Sequence, residues 1–427
     1  MNDSSNRKLV LVYSHKPEKS NPDFMGTLHI SEVRGKEVIS FEYDSGFLES
    51  GNAINVDPNL RLFPGTQYAP NESANFGIFL DSAPDRWGRV LLDRREGQLA
   101  RQEERPPKKL LESDYLLGVY DGTRTGAIRF KTEIDGPFKD NDLQHSTPPF
   151  ASLRELEHAS RVYEDDDLFE SEEYRQKLEL LFVPGSSLGG ARPKANVQDE
   201  NHALWIAKFP SLKDDINHGA WEFLVYKMAI RSGINMSISK AEKFYTDHHT
   251  FLTKRFDRDK NGNRVHFFSA MTLLGHQDGA DASSGASYLE LADLIQRRGS
   301  KVDEDLEQLW LRIAFSVCVS NTDDHLRNHG LLFTKEGFRL SPAYDINPNA
   351  KGTGLTLNIN EHENRLSLDL VLSVAPFFRV NHTRAIDLID KIKDSVGHWE
   401  SLADEYMISR REKSEMASAF NAIGSKL

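Results

Sequence analysis

The chain has 427 residues, 28% of them charged, with a formal net charge of −12 and one cysteine, Cys318. That length suffices for two or three domains with a sizeable core. The lone cysteine excludes an intrachain disulfide and a cysteine-based zinc site, and the acidic balance argues against a broad phosphate-binding surface.

No apolar run is long enough to cross a bilayer. The opening MNDSSNRKLVLVYSHK lacks an apolar segment of signal-peptide length. The expectation is a cytoplasmic protein without membrane contact. Cys318 lies in the apolar run LWLRIAFSVCV, which predicts a small buried hydrophobe.

The first third alternates short apolar segments with Gly, Asn and Pro turns: KLVLVYS, GTLHISEV, EVISFEYD and GAIRF. This predicts a β-rich region, with one clear helix in DRWGRVLLDRREGQLARQE. Residues 131–150 are polar, carry three prolines and read as a linker. Helical periodicity follows in LRELEHASRVYE and SEEYRQKLELLF.

Residues 185–258 predict a Gly-rich turn, the strand HALWIAKFP, the helix AWEFLVYKMAIRSG capped by Gly233, and the strand TFLTKRFDR. Beyond residue 260 the pattern is mostly helical, apart from the strand pair HGLLFTKEGFRLSPAYD. The expected fold class is α+β. It has two lobes: a β-rich N-terminal lobe with an accessory subdomain, then a mostly α-helical C-terminal lobe. The predicted boundaries are 1–135 for the accessory subdomain, 150–258 for the small lobe and 259–427 for the large lobe.

The densest polar stretch between core segments is NTDDHLRN. Asn328 follows Asp323 by five positions, the interval between catalytic Asp and metal-binding Asn in a kinase catalytic loop. One loop can then aim a carboxylate at a hydroxyl and a carboxamide oxygen at Mg²⁺; Asp324 has the wrong interval. A second metal carboxylate is expected on the next strand pair, and Asp345 in SPAYDINP stands there.

Upstream, GSSLGGARPK at 185–194 is glycine-rich, and glycines let backbone N–H groups approach a phosphate. Lys208 in WIAKFP is spaced as a phosphate-contacting lysine, with Glu222 on the following helix as its ion-pair partner. The backbone near Lys254 and Phe256 is the candidate adenine edge. In that order along the chain, these pieces point to ATP-dependent phosphoryl transfer.

The motifs FLDSAPDRWGRVLL, SLGGARPK, WIAKFP, HGAWEFLVYKMA, KRFDR, SNTDDHLRN and LSPAYDINP cover nearly the whole chain. With them it resembles the HipA-like serine/threonine kinases, toxins of bacterial type II toxin–antitoxin modules, and the resemblance implies a two-lobed protein-kinase-like fold. The resemblance implies Asp323 as catalytic base, with His325 supporting the loop or the phosphate, and Asn328 and Asp345 as Mg²⁺ ligands. It implies Lys208 on the α- and β-phosphates and Lys194 on the γ-phosphate. Gly189, Gly190 and Ala191 form part of the ATP loop, and Ser187, or else Ser186, is the autophosphorylated serine.

It also implies a protein substrate, an aminoacyl-tRNA synthetase in some characterised members. The implied partner is a helix-turn-helix antitoxin of HipB type, through which DNA is met indirectly. The family's second loop residue is often small; here it is Asp324. Lys254 stands where a relative has an acid.

Three other readings stay open. Asp323, Asp324, His325 and Asp345 could serve a metal-dependent hydrolase. The chain could be a catalytically weak kinase-fold regulator acting with its DNA-binding antitoxin, or a small-molecule kinase of similar shape.

Overall fold

The computed structural model describes residues 7–15, 19, 21–51, 53–70, 73–141, 147–165, 171, 174, 176–177, 180–181, 190 and 192–424. The chain divides into two compact units. The first comprises Met1–Leu212 and Asp257–Phe268; the second comprises Lys213–Phe256 and Ser269–Leu427.

The first unit is built on a five-stranded antiparallel sheet. Its strands are β1 (Arg7–Ser14), β2 (Asp23–Val33), β3 (Lys36–Tyr43), β4 (Gln67–Tyr68) and, after helix α1 (Arg86–Gln102), β5 (Ile128–Lys131), in the order β4-β3-β2-β1-β5. Alternation in LVLVYS sends Val10 and Val12 into the core. Register then sets Val10 opposite Leu28, and Leu28 opposite Phe41. Phe41, Phe79 and Phe130 form a chain of ring contacts at 5.4 and 6.0 Å behind the sheet.

The polar stretch after β5 is not a free linker in its described part. Lys139 N–H donates to the Phe130 carbonyl at 2.8 Å and Asp140 N–H to that of Val119 at 2.9 Å. The cause is Arg124, a fully buried guanidinium that donates to the carbonyls of Ser82, Leu116, Val119 and Lys139. A buried cation needs acceptors on every side, and this segment supplies one of them.

Residues 257–268 join the first unit for a similar reason. Asp257 accepts from the Gly126 N–H at 2.8 Å, Arg264 pairs with Asp121 at 3.3 Å, and Ser14 bonds His266 at 3.0 Å. Helix α2 (Leu153–Glu164) and the antiparallel pair β6 (Lys194–Gln198) and β7 (Leu204–Lys208) complete the unit.

The second unit begins with α3 (His218–Ser232), closed by Gly233 at φ +94°, a left-handed C-cap that glycine adopts without a Cβ penalty. The antiparallel pair β8 (Ser239–Glu242) and β9 (Thr250–Lys254) follows. Helices α4 (Tyr288–Arg298) and α5 (Val302–Cys318) lead to the hairpin of β10 (Gly330–Thr334) and β11 (Gly337–Leu340). The apolar run of α5 buries Leu309, Trp310, Ile313, Phe315 and Cys318, the last as expected for a small hydrophobe, against α6 (His382–Gly397) and its neighbours. Among the described residues no helix is long and apolar enough to cross a membrane.

Candidate functional site

Helix α5 stops where Ser320 takes a left-handed conformation, φ +50°, and its hydroxyl donates to the Ala419 carbonyl at 2.8 Å. The polar loop begins there. Asp323 and Asp324 lie on non-helical backbone, where successive side chains part company. Asp323 is exposed and Asp324 is buried.

Asn328 closes the loop: its Nδ2 donates to the Asp323 carbonyl at 3.0 Å. His325 N–H donates to the same carbonyl at 3.0 Å, and Asn328 N–H to the His325 carbonyl at 2.9 Å. The five-residue interval read from the sequence is thus a hydrogen-bonded loop. The amide nitrogen of Asn328 faces the backbone, which leaves its oxygen as the group able to meet a cation. His325 keeps Nδ1 buried without a hydrogen-bond partner.

Asp324 anchors the loop from inside. Tyr288 donates its hydroxyl to Oδ2 at 2.6 Å, and His329 meets Oδ1 through Nε2 at 2.8 Å. Burial alone would raise this carboxyl, yet His329 and then Tyr288 hold it below its ordinary value. An ionised carboxylate can only accept, so Nε2 of His329 carries the proton. Arg312, buried in α5, adds positive charge; burial brings its guanidinium down to about 10 while Asp324 pulls it up.

Asp323 has the opposite balance. Enclosure by surrounding protein raises its carboxyl, His325 pulls it down, and Asp345 and Asp324 raise it further. Asp345 itself sits at φ +56°, a left-handed conformation in which Asp is commoner than most residues. Its Oδ1 accepts from Asn347 Nδ2 at 3.0 Å.

The Asp345 segment is pinned to the loop of residues 321–328. Asn347 N–H donates to Asn321 Oδ1 at 3.1 Å, Asn349 Nδ2 to Thr322 Oγ1 at 2.7 Å, and Thr356 Oγ1 to the Thr322 carbonyl at 2.7 Å. Gly352 is needed for this approach, since a Cβ there would lie 2.3 Å from Thr322 Cγ2. Carboxylate and carboxamide oxygens on a rigid frame suit Mg²⁺, which takes few protein ligands and keeps several waters. Asp345 and Asn328 would hold such an ion.

In the same unit, Lys254 donates its N–H to the Ile238 carbonyl at 2.7 Å and accepts from Ser237 Oγ through its own carbonyl. Phe256 packs its ring 5.4 Å from that of Tyr344. Glu222 is buried on α3. In the first unit, Lys208 ends β7, directly opposite Lys194 of β6. Lys194 is buried, with its ammonium 2.8 Å from Asp85. Gly190, at φ +95°, offers its carbonyl to Lys194 Nζ at 3.2 Å. Ser186, Ser187, Gly189 and Ala191 lie outside the described residues.

Sequence reasoning assigned no function to Tyr288, His329, Arg312, Gly352 or Asp85. For two of them the partner is distant in sequence: Asp85 and Lys194 are 109 positions apart, and Tyr288 and Asp324 are 36 apart. The available signal was local, in that a Pro-Asp pair ahead of a helix marks Asp85 as an N-cap.

A family model of the HipA-like C-terminal domain matches residues 186–423, more than half of the chain. The chain belongs to the HipA-like C-terminal domain family. A Sinorhizobium fredii protein named "Putative kinase Y4mE" is 25% identical over 148 residues, 33% of each chain. A Haemophilus influenzae protein named "Putative kinase" is 28% identical over 102 residues, 22% of this chain and 30% of that one. The chain therefore spans about a third of the length of these curated relatives.

In structure, the chain resembles one from the Shewanella oneidensis MR-1 toxin–antitoxin complex of HipA, HipB and operator DNA. The TM-score is 0.66 at 15% identity, over 97% of this chain and 95% of that one. This HipA-like chain therefore has the kinase-like α+β fold expected from its sequence.

Proposed function

We propose that this HipA-like chain is an ATP- and Mg²⁺-dependent serine/threonine protein kinase. One observation carries the reading: Asp323 is exposed while Asn328, five positions on, donates its amide N–H to the Asp323 carbonyl and so leaves its amide oxygen able to meet a cation. In this reading Asp323 accepts the proton of the substrate hydroxyl as its oxygen bonds to the γ-phosphorus. The bond from that phosphorus to the ADP oxygen breaks in the same displacement. His325 supports the loop or the phosphate, and Asn328 and Asp345 hold Mg²⁺.

Lys208 is assigned to the α- and β-phosphates and Lys194 to the γ-phosphate. Gly189, Gly190 and Ala191 are assigned to the phosphate loop, and the backbone of Lys254 and Phe256 to adenine. Ser187, with Ser186 as alternate, is the proposed autophosphorylation site. Its phosphate would carry about two negative charges and repel those of ATP, which would silence the enzyme.

The substrate is proposed to be a cytoplasmic bacterial protein, with an aminoacyl-tRNA synthetase as the first to test, and its phosphorylation would halt growth. The structural likeness to a complex of HipA, HipB and operator DNA supports a helix-turn-helix antitoxin of HipB type as partner. The hydrolase reading loses a ligand, because Asp324 is committed to Tyr288 and His329.

The test is incubation of the purified chain with γ-labelled ATP and Mg²⁺ in a lysate of the source cell. Label should appear on a protein with wild-type chain and not with Asp323→Asn. Release of free phosphate without any labelled protein would overturn the reading.

A further inference from the structure

Lys194 belongs to the segment assigned to the γ-phosphate, yet its side chain and that of Asp85 are each only 2% exposed, with Nζ 2.8 Å from Oδ2. The other oxygen of Asp85 caps α1, accepting from the Gly88 N–H at 2.7 Å. Trp87, in the first turn of α1, donates its indole N–H to the Lys194 carbonyl at 3.0 Å. The start of α1 therefore grips Lys194 at both its ammonium and its backbone. That end of a helix carries partial positive charge, and the first turn of α1 contains no acid. Asp85 is the carboxylate that makes an ammonium tolerable there.

A buried charge stripped of its partner is strongly unfavourable, so Lys194 can leave Asp85 only for another anion. We propose that Asp85 is a positioning residue that stores Lys194: without nucleotide it neutralises the ammonium, and the terminal phosphate of ATP takes the ammonium over. This rests on the kinase reading of the site. The stored pair then opposes ATP, whose γ-phosphate must break it, and leaves ADP unopposed. It explains in physical terms why the first third of the chain carries the motif SAPDRWG: it holds the phosphate loop's lysine from the other end of the unit's sequence.

The experiment is calorimetric binding of ATP and ADP, each with Mg²⁺, to four full-length proteins: wild type, Asp85→Asn, Lys194→Met and the double variant. Asparagine keeps an oxygen for the Gly88 cap and removes the charge. The preference for ATP over ADP should rise about tenfold in Asp85→Asn, because the pair no longer has to be broken. It should vanish in Lys194→Met and in the double variant. Without nucleotide, melting temperature should fall in each single variant and recover in the double, which buries neither charge.

Equal shifts for both nucleotides in Asp85→Asn would make the pair a mere strut and overturn the proposal, while label transfer by the wild type would keep the kinase reading. Should Asp85→Asn not fold, a double variant that retains the wild-type preference overturns it as well. If the wild type binds neither nucleotide, the kinase reading fails first and the proposal falls with it.

Discussion

Asp323 and Asp324 are neighbours with opposite fates, and their titration has opposite sign. The Asp324 carboxyl lies below the ordinary value of about 3.9. Its contribution to stability is therefore complete above that value and fades as pH falls through its lower folded-state value. Asp324→Asn should cost about 3 kcal/mol at neutral pH, because it leaves Arg312 and His329 without their buried anion, and it should flatten the acid limb of the stability curve. Denaturant titrations on both sides of about pH 4 check both effects.

Asp323 is raised, so folding disfavours its ionised form; stability present at low pH is lost as pH rises through the folded value. Asp323→Asn should accordingly melt slightly higher than wild type at neutral pH. Phosphoryl transfer should drop by a few powers of ten, with nucleotide still bound. Wild-type turnover in Asp323→Asn, with loss in Asp324→Asn, would reverse the two assignments.

At the scale of elements, two loops act as one body. The segment after β11 carries Asp345 and is tied to the loop after α5 through Asn347, Asn349 and Thr356. Gly352 permits the contact, and Thr322 cannot retreat because its hydroxyl and carbonyl are both held. Gly352→Ala should cost about 2 kcal/mol by overpacking and slow the reaction more than it weakens nucleotide binding. Adding Thr322→Ser removes the methyl met by the new Cβ and should recover part of both losses, a coupling that a double-mutant cycle measures. Independent, additive effects would mean that the loops are not locked together.

At the scale of the molecule, the net charge of −12 limits what the chain does alone. Binding to the phosphates of DNA requires clustered cations on the protein. The purified chain should therefore give no shift of duplex DNA at about 0.15 M salt, and under the proposed reading one should appear only when a DNA-binding antitoxin is added. A chelator should abolish tight ATP binding if Asn328 and Asp345 hold Mg²⁺, and Ala at either position should mimic the chelator. ATP affinity indifferent to chelator would count against that metal assignment.

Much of this was legible without the structure. Period-2 and period-3.6 patterns marked β1, β2, β3, α1, α2 and α3, because burial of one face leaves its period in the sequence. The Asp323–Asn328 interval was readable because a loop of six residues is a local object. Near Lys139 the polar stretch after β5 is held by Arg124, a buried cation that leaves no periodic trace in the sequence. Likewise, no local rule could tell which of two adjacent carboxylates turns inward. Tyr288 and His329 decided that for Asp324, and Asp85 decided the resting place of Lys194, 109 positions away. Composition and periodicity record how much is buried and on which face. Which buried charge meets which partner is a property of packing, and only the folded chain determines it.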